Sequence, residues 1–309
     1  MNSKFKELID SYDTITVLTH INPDADTIGT ALGVFNFLKD YGKKRVEVVS
    51  FTKKLPYYLD FLPNFSKIKH KMSYENSLII SCDTGSIDRL GFNLDNRVII
   101  NIDHHKTNTK YGLLNIVDSS LGSASLVAYN VLSNELISKD TATCFYTALL
   151  SDTRYFTTNR VDKDVFRVSL ELLNLGVDHS KVICNLTSRK SLASIRLQAK
   201  ALERLELHQN GTIASIKIDN LAIIETGANI SDTVDIVDIA LSIVTVEVAI
   251  IIIEQNNDMK VSLRSINRDL SSIAKSFGGG GHPLACGFNL SDSNIEDVLD
   301  KTLKKIMEI

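Results

Sequence analysis

The segment Arg97-Val98-Ile99-Ile100-Asn101-Ile102-Asp103-His104-His105 places one acid and two adjacent histidines directly after an apolar run. The run is short and rich in β-branched residues, which is typical of a buried strand. Two earlier apolar runs end in a similar way, the first in His20-Ile21-Asn22-Pro23-Asp24-Ala25-Asp26 and the second in Asp83-Thr84-Gly85. Ligands of open parallel sheets lie beyond the carboxyl ends of the strands, so we expect the three endings to converge at one edge.

The pattern around these endings predicts an α/β fold. Short strands are expected at residues 14–19, 45–51, 77–82 and 97–102, with a helix at 26–41 between the first two. Near-continuous apolar strands separated by helices favour an N-terminal parallel sheet with helices on both faces. Further helical patterns follow, and they cover residues 123–132, 141–150, 164–175 and 191–205.

The C-terminal third of the chain predicts a smaller mixed α/β domain. Residues 207–209 and 212–218, joined at Asn210-Gly211, indicate a β-hairpin. Residues 244–254 and 259–264 predict two more strands, with a turn at 256–258.

The amino-acid composition and net charge limit the kinds of binding partner that we expect. The 309 residues are 44% hydrophobic and 23% charged, with a formal net charge of -3. A long duplex would call for a basic footprint, so we expect no long duplex nucleic acid, whereas short nucleotides remain open. The four cysteines are isolated, the start of the chain is charged and helical in pattern, and the run at 244–253 is too short to span a bilayer. These features predict a cytoplasmic protein without a membrane partner.

The acids and histidines that follow the strands form a candidate metal site. A fourth acid, Asp152, follows the helical pattern at 141–150. Carboxylates with a few imidazoles and no thiolate cluster favour Mn²⁺ or Mg²⁺ over structural zinc. Two ions about 3.5–4 Å apart suit phosphoester hydrolysis. The residues available for two ions, if one carboxylate bridges, are His20, Asp24, Asp26, Asp83, His104 and Asp152.

Each of these residues also has an ordinary structural explanation. His20 could be a strand-end histidine that bonds to backbone, and Asp24 or Asp26 could be a helix N-cap. Asp83 could belong to a simple turn, and Asp103 could orient a neighbouring imidazole. The joint occurrence of four such motifs argues for a cation, because packing five or six ionisable groups together without one is electrostatically costly.

A second candidate site is Phe277-Gly278-Gly279-Gly280-Gly281-His282-Pro283. The glycines expose backbone N–H groups that could approach a phosphate, and a helix beginning after them would add dipole attraction. Arg264 in Ser262-Leu263-Arg264-Ser265 suits a bidentate phosphate contact, although it could equally be a surface arginine at a strand end. Arg89 could face the metal edge or pair with an acid near it in sequence.

The ordered set of motifs resembles the DHH phosphoesterase superfamily, and Ser262–Ser265 with Gly278–His282 resembles its DHHA1 substrate-binding domain. The resemblance implies a DHH catalytic domain at residues 1–187, a linker helix at 188–205 and a DHHA1 domain at 206–309. It also implies two Mn²⁺ ions, with Mg²⁺ or Co²⁺ as alternatives. One ion would be held by His20 and Asp24 and the other by Asp26, His104 and Asp152, with Asp83 bridging.

The resemblance implies roles for further residues. His105, supported by Asp103, would assist the site or the attacking water. The residues expected to bind substrate are Arg264, Ser265, Gly279, Gly280, Gly281, His282, Arg154 and Arg89. The family motif often reads Asp-Thr-Gly where this chain has Asp152-Thr153-Arg154, a departure that bears on substrate specificity.

A two-domain chain of this length is most similar to the subfamily of nanoRNases that also dephosphorylate 3′-phosphoadenosine 5′-phosphate (pAp). That similarity implies hydrolysis of short oligoribonucleotides to 5′-mononucleotides, with a homodimer as the family's usual assembly. The competing interpretations are a phosphodiesterase for cyclic di-AMP or its linear product pApA, and a non-catalytic nucleotide-binding regulator. A complete ligand set disfavours the regulator.

Overall fold

The computed structural model describes residues 2–133, 135–233, 235–255, 258–291 and 293–308. The chain forms two compact units, Met1–Arg189 and Lys190–Ile309. Within the described residues, no helix combines the length and the apolar character needed to cross a lipid bilayer.

The first unit is built on a parallel six-stranded sheet of order β3-β2-β1-β4-β5-β6. Its strands are β1 (Thr14–Leu18), β2 (Arg45–Val49), β3 (Ile68–Lys69), β4 (Leu78–Cys82), β5 (Ile99–Asp103) and β6 (Leu114–Val117). The order reverses at β1, whose neighbours are β2 and β4. Because β1, β4 and β5 are adjacent and parallel, the three chemically distinctive endings do reach the same edge of the sheet.

The helices of the first unit are α1 (Ser3–Ser11), α2 (Ala25–Asp40), α3 (Ala124–Leu132), α4 (Lys139–Asp152), α5 (Lys163–Asn174) and α6 (His179–Thr187). Residues of all six belong to or pack against one apolar cluster with one face of the sheet. The other face, which carries Leu18, Val49 and Ile79, is covered by a 3-10 helix, Ile87–Leu90, and by loop residues. The α-helices therefore lie on one face, where both faces were expected to carry them.

Helix α2 is central to this packing and is buried almost throughout. It lies against α4 so closely that a Cβ at Gly29 would meet the Cys144 carbonyl oxygen at 2.7 Å. The close approach fixes the start of α2 relative to the end of α4. Both helix ends carry predicted metal ligands, Asp26 and Asp152.

The second unit contains a mixed six-stranded sheet of order β11-β12-β10-β9-β8-β7. Its strands are β7 (Leu205–His208), β8 (Ile213–Ile218), β9 (Val248–Gln255), β10 (Asp258–Ser265), β11 (Gly280–His282) and β12 (Ala285–Ser291). Its helices are α7 (Leu192–Glu203), α8 (Asn220–Thr226), α9 (Ile236–Leu241), α10 (Ser271–Ser276) and α11 (Ile295–Met307). Strands β8 and β9 are parallel, and the other pairs are antiparallel.

Most predicted elements are confirmed within a few residues, including the hairpin of β7 and β8. One strand boundary was wrong: β9 begins at Val248, and Val244 is almost fully exposed. Another correction concerns the glycine segment, which is followed by the turn at residues 283–284 and by β12, so that no helix begins there. Asn256 and Asn257 of the predicted turn lie outside the described residues.

Candidate metal centre

Six predicted ligands lie together at the carboxyl edge of the parallel sheet. They form overlapping groups in which the potential ligand atoms lie within 4.8 Å of one another. One group is His20, Asp24 and Asp83, and another is Asp26, His104 and Asp152. Asp83 also groups with His104 and His105. The third group links the other two, because it contains Asp83 of the first and His104 of the second.

Asp24 and Asp26 are positioned by the start of α2. Asp24 is the N-cap, and its carboxylate accepts hydrogen bonds from the backbone N–H and the hydroxyl of Thr27 at 3.0 and 3.1 Å. The carboxylate of Asp26, in the first turn, is buried and accepts from the Ala124 N–H at 2.8 Å. It therefore lies at the positive N-terminal end of α3, which favours its ionised form.

Asp83 follows β4 with a left-handed backbone, φ 54°. Its Oδ2 accepts a hydrogen bond of 2.7 Å from the Thr27 hydroxyl. Its Oδ1 is buried but accepts no hydrogen bond among the described residues. A buried carboxylate oxygen without a donor is costly, and the strained backbone adds to this cost. Both features are expected where a cation is the missing partner.

His104 is oriented so that one ring nitrogen faces the acids. Its Nδ1 lies 3.3 Å from the carbonyl oxygen of Leu121, a contact that places the proton on Nδ1. Its Nε2 lies 3.5 Å from Asp83 Oδ1 and 3.7 Å from carboxylate oxygens of Asp26 and Asp152. The imidazole thus presents Nε2 at the border between the two sites.

His105 and Asp103 form a hydrogen-bonded pair beside this border. His105 Nδ1 lies 2.7 Å from Asp103 Oδ1, and Asn108 Nδ2 donates to Asp103 Oδ2 at 2.5 Å. Asn108 also donates to Asn101 Oδ1 at 2.7 Å. Asp103 is completely buried, whereas the His105 side chain is one-quarter exposed. The network fixes the ring of His105 through its Nδ1, as expected for a residue that acts through Nε2.

The carboxylates of this cluster are close together, and this proximity shifts the pKa values of the cluster's acids and of His104. Burial and the charges of Asp83 and Asp152 raise the pKa of Asp26 well above its usual range. Burial, with the charges of Asp83 and Asp24, also raises the pKa of Asp152 to about 6 against the attraction of His104. Burial opposes the charged form of His104, but the close carboxylate of Asp83 and the charges of Asp26 and Asp152 raise its pKa to about 10.

The same reasoning makes Asp83 the most acidic member of the cluster. Burial opposes its ionisation, but the imidazoles of His104 and His20, whose Nε2 atoms lie 3.5 and 3.6 Å from its carboxylate oxygens, outweigh burial and lower its pKa. In the metal-free protein, protonated histidines therefore supply the positive charge that the carboxylates require. The donor set, four carboxylates with imidazole nitrogens at a border that contains an unpaired oxygen, fits divalent cations of the Mn²⁺ or Mg²⁺ type.

Three arginines lie on segments that reach this edge. Arg89 is exposed on the 3-10 helix Ile87–Leu90, and its carbonyl oxygen accepts from the Ile21 N–H at 2.8 Å. Arg154 is exposed and begins three consecutive left-handed residues, with φ of 46°, 58° and 68° through Phe156. The sequence reasoning missed Arg160, whose Nη1 lies 3.5 Å from His104 Nδ1. The position of Arg160, eight residues beyond Asp152, gave no local signal.

The predicted substrate residues of the second unit lie on neighbouring strands. Arg264 pairs with Ala285, and Ala285 pairs with His282, so the two larger side chains lie on one face of the sheet with a methyl group between them. Asp238, which the sequence reasoning did not identify, lies 3.7 Å from Arg264 Nε. Ser265 is buried, and its hydroxyl accepts from the Arg268 N–H at 2.8 Å.

The glycines of this segment differ in whether a side chain would fit at their positions. A Cβ at Gly279 would collide with Phe288 and the Gly287 carbonyl oxygen, and one at Gly281 would lie 2.6 Å from Cys286 Cα. Both positions are therefore required by the close approach of β12. Gly280 has open space around it. Of the three predicted phosphate-binding glycines, Gly280 is the one whose surroundings leave room for a ligand.

A cavity of about 460 Å³ in the first unit is separate from the metal centre. It is lined by the C-terminal half of α2 and by β2 and β3, and it contains both lysines and acids. None of the six candidate ligands lines it. The ligand geometry, rather than cavity size, therefore identifies the chemical site.

Comparison with known proteins is consistent with this site. Residues 14–149 match the DHH family N-terminal domain, and residues 214–308 match the DHHA1 domain. The chain is 31% identical over 307 residues to a probable bifunctional oligoribonuclease and PAP phosphatase of Streptococcus mutans, covering 97% of both chains. It is 26% identical over 301 residues to a bifunctional oligoribonuclease and PAP phosphatase of Bacillus subtilis, covering 94% of this chain and 93% of that one.

Among solved structures, an exopolyphosphatase-related protein from Bacteroides fragilis superposes with a TM-score of 0.89 at 26% identity. The match covers 98% of this chain and 95% of that one. The chain therefore belongs to the DHH/DHHA1 family.

Proposed function

We propose that this member of the DHH/DHHA1 family is a two-metal phosphoesterase. Its substrates are short oligoribonucleotides, which it hydrolyses to 5′-mononucleotides, and pAp, which it dephosphorylates. The observation that carries the proposal is the pair of ligand groups, His20–Asp24–Asp83 and Asp26–His104–Asp152, which a third group containing Asp83 and His104 links. Asp83 Oδ1 at this link is buried and accepts no hydrogen bond among the described residues. The full-length relatives with both activities in their names support the substrate class.

The residues that would hold the ions follow from the two groups. His20 and Asp24 would bind one ion, and Asp26, His104 and Asp152 the other. We propose that Asp83 bridges them, since its Oδ1 lies 3.5 Å from His104 Nε2. Bound Mn²⁺ or a similar ion would supply a water of lowered pKa and would neutralise charge on the reacting phosphoryl group. We propose that two ions bind and that both are Mn²⁺.

The residues of the chain would orient the substrate and handle protons. Asp103 accepts from His105 Nδ1, an arrangement that directs Nε2 of His105 to the substrate or the attacking water. Arg264 and His282, together with the backbone at Gly280, are proposed to hold a substrate phosphate. Arg89, Arg154 and Arg160 supply further positive charge near the metal edge. The reaction needs no covalent enzyme intermediate.

A turnover assay with Mn²⁺ tests the function. The substrates are a trinucleotide RNA, pApA, pAp, cyclic di-AMP and pyrophosphate, each with a chelated control. We expect hydrolysis of the trinucleotide and of pAp, and none with the chelator. A preference for cyclic di-AMP would instead indicate a second-messenger phosphodiesterase. Hydrolysis that persists with the chelator would contradict the metal mechanism, and failure on all five substrates would favour a nucleotide-binding regulator.

We also propose that the protein acts in the cytoplasm and as a homodimer. Size-exclusion chromatography with light scattering tests the second statement directly. A mass near twice the 34.3 kDa of the chain is expected, and a single-chain mass at assay concentrations would contradict it.

A further inference from the structure

Phe51 is an exposed aromatic ring at the metal edge of the first unit. It follows β2 by two residues, and half of its surface is accessible to solvent. The loop that carries it is tied to the loop of His20, because the Asn22 N–H donates to the Thr52 hydroxyl at 2.8 Å. Phe51 therefore lies beside a segment that supplies metal ligands.

The ring of Phe51 is held in place by the segment that follows β4. It makes an edge-to-face contact with Phe92, with 5.5 Å between ring centroids and 84° between ring planes. It also lies against Gly91, where a Cβ would approach Phe51 Cγ to 2.7 Å. Gly91 has a left-handed backbone, φ 76°, which disfavours any other residue there. The ring is thus fixed on one side while half of its surface remains open to solvent.

The second feature of this region is a positively charged side chain, that of Arg89. Arg89 lies two residues before Gly91 and is exposed, and its guanidinium makes no hydrogen bond or ion pair with any residue that the structure describes. Its carbonyl oxygen accepts from the Ile21 N–H at 2.8 Å, so the backbone of Arg89 is fixed next to His20. A fixed aromatic ring next to an unpaired cation is the combination that recognises single-stranded nucleic acids, by base stacking and phosphate contact.

We propose that Phe51 is a stacking platform for a nucleobase of the substrate and that Arg89 contacts a phosphate adjoining that base. This inference rests on the proposed function and adds a base-binding subsite to it. The occupant is a nucleotide base rather than an apolar peptide, because the loop of Phe51 is bonded to the loop of His20 and the Arg89 charge also acts on His20. Stacking tolerates any base but is stronger for purines, which present a larger ring surface.

The test compares Phe51→Leu, which keeps apolar volume but removes the aromatic face, with Phe51→Tyr, which keeps the face. The substrates are pApA and the same dinucleotide with one base removed, at either position. We expect Phe51→Leu to raise KM for pApA about tenfold, in line with the loss of one base–aromatic stack, with little change in kcat. Phe51→Tyr should behave like the wild type.

The abasic substrates separate stacking from general packing. When the base that stacks is absent, the wild type and Phe51→Leu should have the same KM. Phe166→Leu is a matched control, because Phe166 is also about half exposed and also contacts a second ring, Phe156, but lies on α5. It should leave KM for pApA unchanged.

Other outcomes would overturn the inference. Equal KM values for the wild type and Phe51→Leu on pApA would do so while leaving the proposed function intact. An increase in KM of the same size on every abasic substrate would show that Leu disturbs the loop and that no base stacks there. If the wild type turned over neither pApA nor the trinucleotide, the proposed function itself would fail.

Discussion

Asp83 and Asp103 follow or end neighbouring strands, are both buried, and have opposite hydrogen-bond arrangements. Each carboxylate oxygen of Asp103 has a close partner, His105 or Asn108. Asp83 has one oxygen bonded to Thr27 and one without a donor among the described residues. The difference is that the Asp103 carboxylate is satisfied within the protein, whereas Asp83 has a buried oxygen that remains available to a cation.

The largest expected effect comes from removing the negative charge at Asp83. Asp83→Asn should lower kcat on the trinucleotide by about a thousandfold or more, because the proposed shared ligand of the two ions would be lost. Isothermal titration with Mn²⁺ should show weakened binding. Asp88→Asn, an exposed acid on the neighbouring 3-10 helix, is the control and should leave both quantities unchanged. Activity near the wild-type level in Asp83→Asn would contradict the shared-ligand role.

Metal affinity should depend strongly on pH. In the metal-free protein, the pKa of His104 is about 10 and that of Asp152 about 6. Metal binding must displace the His104 proton, so affinity falls as pH falls, by about tenfold per unit between pH 8 and 6. Below pH 6 protonation of Asp152 makes the fall steeper. Titrations with Mn²⁺ at several pH values measure this dependence, and an affinity that does not change between pH 8 and 6 would contradict it.

Metal should stabilise the first unit through the Asp83 region. At a Mn²⁺ concentration of about 100 times Kd, the free energy of unfolding should rise by about 2.7 kcal/mol. Thermal unfolding with Mn²⁺ and with a chelator measures the difference as a shift in Tm. Asp83→Asn should abolish the shift, and its metal-free form should be less stable than the wild type, because the lowered pKa of Asp83 shows that the folded protein stabilises its charged form. A full Mn²⁺ shift in this variant would place the ions elsewhere.

The hydrogen bonds of the Asp103 region lie within the protein. Asp103→Ala leaves the donors of His105 and Asn108 without their acceptor and should lower the free energy of unfolding by about 2 kcal/mol, even without metal. Urea unfolding of the chelated protein measures this loss. Asp103→Asn is the matched variant and should lose less, since its amide retains one acceptor oxygen. Equal stability of Asp103→Ala and the wild type would show that the network does not hold this region together.

The smallest effect is expected at Arg154, whose backbone is left-handed. Its left-handed backbone disfavours β-branched residues, so Arg154→Val should lower the free energy of unfolding by about 1–2 kcal/mol. In Arg154→Gly, relief of strain and loss of chain entropy oppose each other, and stability should change by less than about 1 kcal/mol. Chemical denaturation measures the free energy of unfolding of both variants. A Val variant as stable as the Gly variant would show that the turn relaxes.

The secondary structure could be predicted from the local sequence pattern where the burial of apolar side chains dominates. The strands that precede His20, Asp83 and His104 are buried on both faces, and their continuous apolar runs record this burial. The edge strand β6 and the short helix α6 were missed, because partly exposed segments have weaker apolar patterns. The start of β9 was placed too early because apolar character alone does not show where a strand becomes buried.

The residues of the candidate site also divide into those that the sequence pattern indicated and those that it missed. The six candidate metal ligands could be selected from the sequence because each follows a recognisable strand or helix signal, and the structure brings them together. Arg160, Asn108 and Asp238 were missed because they come close to functional residues only through tertiary packing. The glycine segment shows the opposite case: Gly279 and Gly281 were interpreted as phosphate-binding, yet the approach of β12 gives each a packing reason.

The sequence by itself determined the chemistry of the site, since ligand type and the preference for hard cations depend on side-chain identity and on short-range order along each strand. The tertiary structure alone decided which groups are satisfied and which are open. Whether Asp83 Oδ1 or Asp103 Oδ2 has a donor depends on Asn108 and on the neighbouring loops, which no local pattern specifies. The same holds for Phe51, whose ring is fixed by Gly91 and Phe92, about forty residues further along the chain. Hydrogen bonds and ring contacts act over a few ångströms in space, whatever the separation in sequence.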